Sequence, residues 1–225
     1  QIRTRLETLG WELTQVKAVA FTHEHSDHIA ALPVLLKRTN WAVLATEATL
    51  EAICRIQGVE VPLARWIPLR AGYATLWEGW RILLFSTPHD AADPVAYRVE
   101  GGGRAVGVVT DLGHPTALVA DHCQDLDLLA LEANHDIQML REGSYPPTLK
   151  ARILSRIGHL SNEATAELLA RVGSPRLQAV VLAHLSEQNN DPALARFAAE
   201  AALRGSDIAL HVATQREPLE VAARP

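Results

Sequence analysis

The run His23-Glu24-His25-Ser26-Asp27-His28 carries four potential metal ligands in six residues, directly after the apolar segment Val16 to Thr22. A divalent metal takes imidazole nitrogens and carboxylate oxygens at about 2.0–2.2 Å. A tight turn after a strand can aim alternate side chains at one ion and the intervening ones at a second. His-x-His-x-Asp-His therefore reads as the seed of a two-metal site. A polar loop rich in histidine would look the same in isolation, so distant partners must decide.

Three partners stand where strands end. His89 follows the apolar run Arg81–Ser86, Asp111 follows Arg104–Thr110, and His184 follows Leu177–Ala183. Strand ends place side chains rigidly at one rim of a sheet. Singly, each is a capping Asp or a surface His; the same placement repeated four times is not chance. Geometry divides the set: His23, His25 and His89 for one ion, Asp27, His28 and His184 for the other, and Asp111 bridging them. A hydroxide held between the ions would serve as nucleophile, because paired metals lower the pKa of a shared water. Five His and two Asp suit manganese or zinc, with iron also compatible.

The surrounding pattern alternates strands and helices. Strands are expected at 17–22, 41–45, 66–69, 74–77, 81–86, 95–100, 104–110, 126–132, 177–183 and 208–213. Helices are expected at 2–9, 28–38 (broken early by Pro33), 47–56, 116–122, 137–141, 148–157, 162–172 and 192–204. Hairpins at Glu78-Gly79 and Gly101–Gly103, with strand–helix units on either side, predict an α/β fold of two mixed sheets covered by helices. No linker divides the chain, so residues 1–225 are read as a single domain.

Composition narrows the function. The 225 residues are 48% hydrophobic, ample for a core. No run approaches the roughly 18 apolar residues of a membrane span, and no signal peptide is visible. Cys54 and Cys123 lack metal spacing and read as reduced, buried thiols of a cytoplasmic protein. The net charge of −5 argues against broad, nonspecific coating of nucleic acid. The chain opens at Gln1 and enters a helix at once, with Ile2, Leu6 and Leu9 on one face and Gly10 as its cap. It is read as starting inside its domain.

In order and spacing, His23-Glu24-His25-Ser26-Asp27-His28, His89, Asp111 and His184 resemble the metal motifs of the metallo-β-lactamase superfamily. The resemblance covers essentially the whole chain. It implies an αββα sandwich with a dinuclear site at one edge of the sheets, here expected to lack the N-terminal strands with which members usually open. The commonest β-lactamases offer Cys to the second metal, and neither Cys54 nor Cys123 stands there. An all-N/O second site suits a phosphate or an ester.

Two segments favour phosphate. Gly158-His159-Leu160-Ser161-Asn162 opens a helix, with Ser161 as N-cap and free N–H groups that suit an anion. Leu131-Glu132-Ala133-Asn134-His135-Asp136 ends a strand. Glu132 could hold His159 protonated, and His159 could then contact the scissile phosphate or protonate the leaving oxygen; the bland alternative for His159 is a capping or core histidine. Asp27, Glu132 and His159 form the expected catalytic set. Arg141, Lys150, Arg152 and Arg156 cluster nearby, with Lys150 and Arg152 as candidate phosphate contacts beside His159 and Ser161. Tyr145 either stacks on a base or braces the Pro146-Pro147 turn.

These segments, with Tyr145-Pro146, Leu149 to Ser155 and Asn189-Asn190 after His184-Leu185-Ser186, resemble the YycJ/WalJ family of bacterial exonucleases. That implies a cytoplasmic, manganese-dependent 5′-to-3′ exonuclease on double-stranded DNA. Three alternatives stand beside it: an RNA-processing nuclease, a small-molecule ester, thioester or lactone hydrolase, and a nucleic-acid-binding protein without catalysis.

Overall fold

The computed structural model describes residues 2–222. Two sheets stack face to face between layers of helices. The smaller has the order β1-β2-β3, with β1 at Ala18–Ala20, β2 at Ala42–Thr46 and β3 at Trp66–Leu69. The larger has the order β10-β9-β8-β7-β6-β5-β4. Its strands are β4 (Ala74–Trp77), β5 (Trp80–Ser86), β6 (Val95–Gly101), β7 (Arg104–Val109), β8 (Leu128–Glu132), β9 (Ala179–Ala183) and β10 (Ala209–Val212).

Side-chain alternation along the strands builds the layers. Val43 and Ala45 of β2 pack with Ile29, Leu32, Leu50 and Ile53 on the helical side. Leu44, one residue between, joins Leu69, Ile82, Leu84, Val95 and Tyr97 in the space between the sheets. In β5 and β6 the next faces, Phe85 and Ala96, turn outward into the largest cluster. That cluster includes Val119 of α5 (Ala117–His122), Leu168 and Val172 of α8 (Asn162–Val172) and Ala195 of α9 (Pro192–Ala202). Each fully buried Leu or Phe contributes about 1.5–3 kcal/mol. The Tyr97 hydroxyl crosses between sheets and donates to the Phe21 carbonyl at 2.7 Å.

The helices follow local chemistry. In α4 (Glu47–Gln57), Thr46 Oγ1 accepts the Thr49 N–H and Gly58 ends the helix at φ +61°. The expected helix 28–38 is two: α2 (Ser26–Ile29) and α3 (Leu32–Arg38). Pro33 starts α3 and does not interrupt it, because the first turn needs no N–H from its second residue. The helix expected over 148–157 is α7 (Pro147–Ile153), preceded by α6 (Ile137–Glu142). The N-terminal α1 (Ile2–Thr8) buries none of its residues.

The smaller sheet is wholly parallel, not mixed. Helical crossovers follow β1 and β2, and such a connection returns the chain in the same direction. The larger sheet is mixed: β4 to β7 run antiparallel and β7 to β10 parallel. Since β5 and β7 are both antiparallel to β6, the C-terminal ends of β5, β7, β8 and β9 share one edge. The loop after β1 is held on β2 by the bond from Phe21 N to Leu44 O (2.9 Å) and tied to that edge by the bond from Val95 N to Thr22 O (3.1 Å). Among the described residues no helix is long and apolar enough to cross a membrane. Cys123 is buried as expected, but Cys54 is only half-buried on α4.

Candidate metal centre

Four chain segments meet at this edge, and their histidines are already oriented. His89 Nδ1 lies 3.0 Å from the Gly158 carbonyl, and His25 Nε2 lies 3.2 Å from the Asp90 carbonyl. A carbonyl can only accept, so both contacts require N–H on the carbonyl side. In neutral rings the remaining nitrogens, His89 Nε2 and His25 Nδ1, are then lone pairs facing each other at 3.2 Å. A cation between them converts that repulsion into ligation. His23 completes the group: its Nδ1 sits 3.0 Å from Thr22 Oγ1, while its buried Nε2 makes no hydrogen bond. Donor atoms of His23, His25 and His89 lie within 4.8 Å of one another. Burial pulls the His23 pKa down to about 3, which keeps it in the neutral form a metal needs.

Asp27, His28 and His184 form a second group within the same limit. Asp27 Oδ2 is 3.5 Å from both His28 Nε2 and His184 Nε2. Asp111 lies between the groups: Oδ2 is 3.3 Å from His28 Nε2, and Oδ1 is 3.7 Å from His89 Nε2 and 3.9 Å from His23 Nε2. The buried Oδ2 makes no hydrogen bond, and a cation would compensate its negative charge. Burial works against ionisation of Asp111, but His28 and His184 outweigh it and hold the carboxyl well below the usual range. The hydrogen bond from His184 does the same for Asp27. This all-N/O donor set fits hard or borderline divalent cations.

Asp111 and His184 both adopt left-handed backbone, at φ +59° and +56°. Such conformations cost non-glycine residues about 1–3 kcal/mol and concentrate at functional sites.

Beneath both groups sits Glu132, the fully buried last residue of β8. Its Oε2 accepts the N–H groups of Leu112 (2.9 Å) and Leu160 (3.1 Å). Its Oε1 lies 2.8 Å from Nδ1 of both His159 and His184. The sequence pairs Glu132 with His159 alone; the structure adds His184. Burial would push the Glu132 carboxyl up, but the two imidazoles outweigh it and hold it low. Burial likewise opposes charge on both rings, yet Glu132 raises His159, and Asp27 with Glu132 raises His184 to about 11. Metal ligation at His184 must therefore displace a proton.

The centre opens into a cleft of about 530 Å³, whose walls include Asp90, Asn134, Tyr145, Arg152 and His159. Among the described residues Arg152 is the one Lys or Arg on that wall, and its Nε donates to Asp90 Oδ2 at 2.5 Å. The other basic residues are placed differently. Lys150 donates to the Arg141 carbonyl at 2.7 Å, and Arg156 pairs with His114. Ser161 is buried, and its Oγ accepts the Ala164 N–H as the N-cap of α8. The structure brings neither Lys150 nor Ser161 to the cleft wall. At Gly158 an added Cβ would lie 2.1 Å from the Ile153 carbonyl, so only glycine lets this turn close and carry His159 inward.

Fold and donor set together define a class: residues 2–185 match the model of the Beta-lactamase superfamily domain. The chain is 34% identical over 185 residues to Exodeoxyribonuclease YycJ of Bacillus anthracis, covering 82% of this chain and 70% of that protein. It is 32% identical over 213 residues to Exodeoxyribonuclease WalJ of Streptococcus pneumoniae, covering 94% and 79%. It belongs to that superfamily and, within it, to the YycJ/WalJ family. Among solved structures, the metallo-β-lactamase fold protein YhfI from Bacillus subtilis shares the fold, with a TM-score of 0.66 at 18% identity over 88% of this chain and 74% of that one.

Proposed function

We propose that this protein is a metal-dependent exonuclease that hydrolyses phosphodiester bonds of double-stranded DNA from the 5′ end. The observation that carries the reading is His159. Its Nδ1 lies 2.8 Å from Glu132 Oε1 and 3.8 Å from Asp111 Oδ1 and is spent on Glu132, so its Nε2 is the nitrogen left for the cleft. The exodeoxyribonuclease relatives supply the substrate class.

His23, His25 and His89 would hold one divalent ion, Asp27, His28 and His184 a second, with Asp111 shared. Ions held there would supply acidification of a water and stabilisation of charge on the attacking and leaving oxygens. The chain's own groups do the rest. His159, kept protonated by Glu132, meets a non-bridging phosphate oxygen or delivers a proton to the leaving oxygen. Arg152, aimed by Asp90, meets a neighbouring backbone phosphate. Manganese is the proposed working metal, zinc a competitor for the same ligands. The protein acts in the cytoplasm as one domain.

The test is incubation with end-labelled duplex DNA, single-stranded DNA and RNA in the presence of manganese. Mononucleotides should be released from 5′ ends of the duplex. Chelation should abolish release, and Asp111→Asn should lower it at least about 100-fold, given that even outer groups around metals cost 10–100-fold. Turnover of thioesters or lactones without release of nucleotides would overturn the reading in favour of a small-molecule hydrolase.

A further inference from the structure

We propose that Asn134 is a positioning residue for this centre, setting His184 and the His159 turn at the same time. The proposal rests on the site reading above, but not on the identity of the substrate. Asn134 lies two residues beyond Glu132, on the cleft wall. It uses three groups on two other segments. Its backbone N–H donates to the Leu160 carbonyl at 3.0 Å, next to His159. Its carbonyl accepts the Ser186 N–H at 2.8 Å, two residues past His184. Its side-chain Nδ2 donates to the His184 carbonyl at 3.0 Å.

That last bond is the informative one. At φ +56° the His184 backbone turns sharply out of β9, and its carbonyl leaves the ladder. A conformation that costs about 1–3 kcal/mol persists only if its surroundings over-determine it. Asn134 clamps the bend from both sides, through its side chain at residue 184 and its carbonyl at residue 186. A buried amide pair extends the clamp: Asn162 and Asn190 bond each other at 2.8 and 3.0 Å, and Asn190 also donates to the Ala133 carbonyl. Among the described residues Asn134 makes no hydrogen bond to Asp27, Asp111 or the histidine rings, so it acts through the backbone that carries them.

Asn134→Asp and Asn134→Ala both keep the two backbone bonds and lose the Nδ2 donor; the first also adds a carboxylate, the second removes the whole amide. The probe is cobalt(II) alone, followed by its absorption spectrum, with DNA hydrolysis measured in parallel. The variants should weaken one of two cobalt equivalents about 10–100-fold, the range seen for groups that orient metal ligands. The other equivalent should bind as before, and kcat should fall while KM holds. A merely structural role would lower thermal stability and weaken both equivalents alike, and that result overturns the proposal, as does unchanged binding of both. If the variants do not fold, the unsubstituted protein serves: the Asn134 side-chain NH2 resonance should move with the same metal equivalent that moves His184, and a resonance that stays put overturns the proposal. Two bound cobalt ions without DNA cleavage would sink the exonuclease reading and leave this one standing.

Discussion

His25 and His89 each spend one ring nitrogen on a backbone carbonyl, and His159 and His184 each spend Nδ1 on one oxygen of Glu132. Which nitrogen is left over decides what a histidine can do. For His25, His89 and His184 the remaining nitrogen faces other donor atoms; for His159 it is the proton-bearing end of a pinned ring. His159→Ala should therefore lower kcat by about 10²–10⁴-fold, the usual worth of a positioned acid. Metal content, read by elemental analysis, should stay at the level of the unsubstituted protein. Loss of an equivalent would make His159 a ligand instead.

Strand ends carry the site, and what registers the strands at their other ends matters as much. Asp127, just before β8, accepts the Ala105 N–H at 2.7 Å and the Arg176 Nη2 at 2.7 Å, and Arg104 Nη1 lies 3.3 Å away. It joins the starts of β7 and β8 to the segment leading into β9. Burial would raise its pKa, but Arg176, the Ala105 N–H and Arg104 together hold it below the ordinary range. A carboxyl depressed by folding stabilises above its unfolded pKa, about 3.9, and loses that contribution as pH falls through the folded value. Asp127→Ala should cost about 1–3 kcal/mol at neutral pH, chiefly for the buried Ala105 N–H left unpaired. The ion-pair part of that gap should be lost as pH falls below about 4 toward the folded value, so the gap between variant and parent should narrow. Urea unfolding at several pH values checks both, and a gap of unchanged size at low pH contradicts the electrostatic account.

At the scale of the molecule, the centre bridges two sheets. His23, His25, Asp27 and His28 come from the segment after β1, and His89, Asp111 and His184 from the larger sheet. Ions that bind only this assembled edge stabilise the folded state by mass action. At a thousandfold excess over Kd that is about 4 kcal/mol per site, or roughly 8–16 °C in Tm for a chain of this size. Calorimetry with manganese and then with excess chelator should show a loss of that order. A Tm indifferent to chelation would mean that the ligands do not act together.

Much of this was legible from local pattern. Apolar runs lead up to His89, Asp111, Glu132 and His184, and a side chain at a strand end is aimed by the strand itself. The helix start at Ser161 was equally local, its side-chain oxygen spent on its own helix. Tertiary structure alone decided the rest. It made the smaller sheet parallel, gave Glu132 a second histidine, sent Lys150 to a carbonyl of α6 and buried Ser161 as a cap. It also put Asn134 against the His184 bend, 50 residues away. The reason is physical. Which residue types can bind a metal, and which end of a strand they occupy, follow from nearest neighbours in the chain. Which nitrogen is free, which carboxylate is shared and which strained turn is held depend on contacts between segments that meet only when the two sheets close.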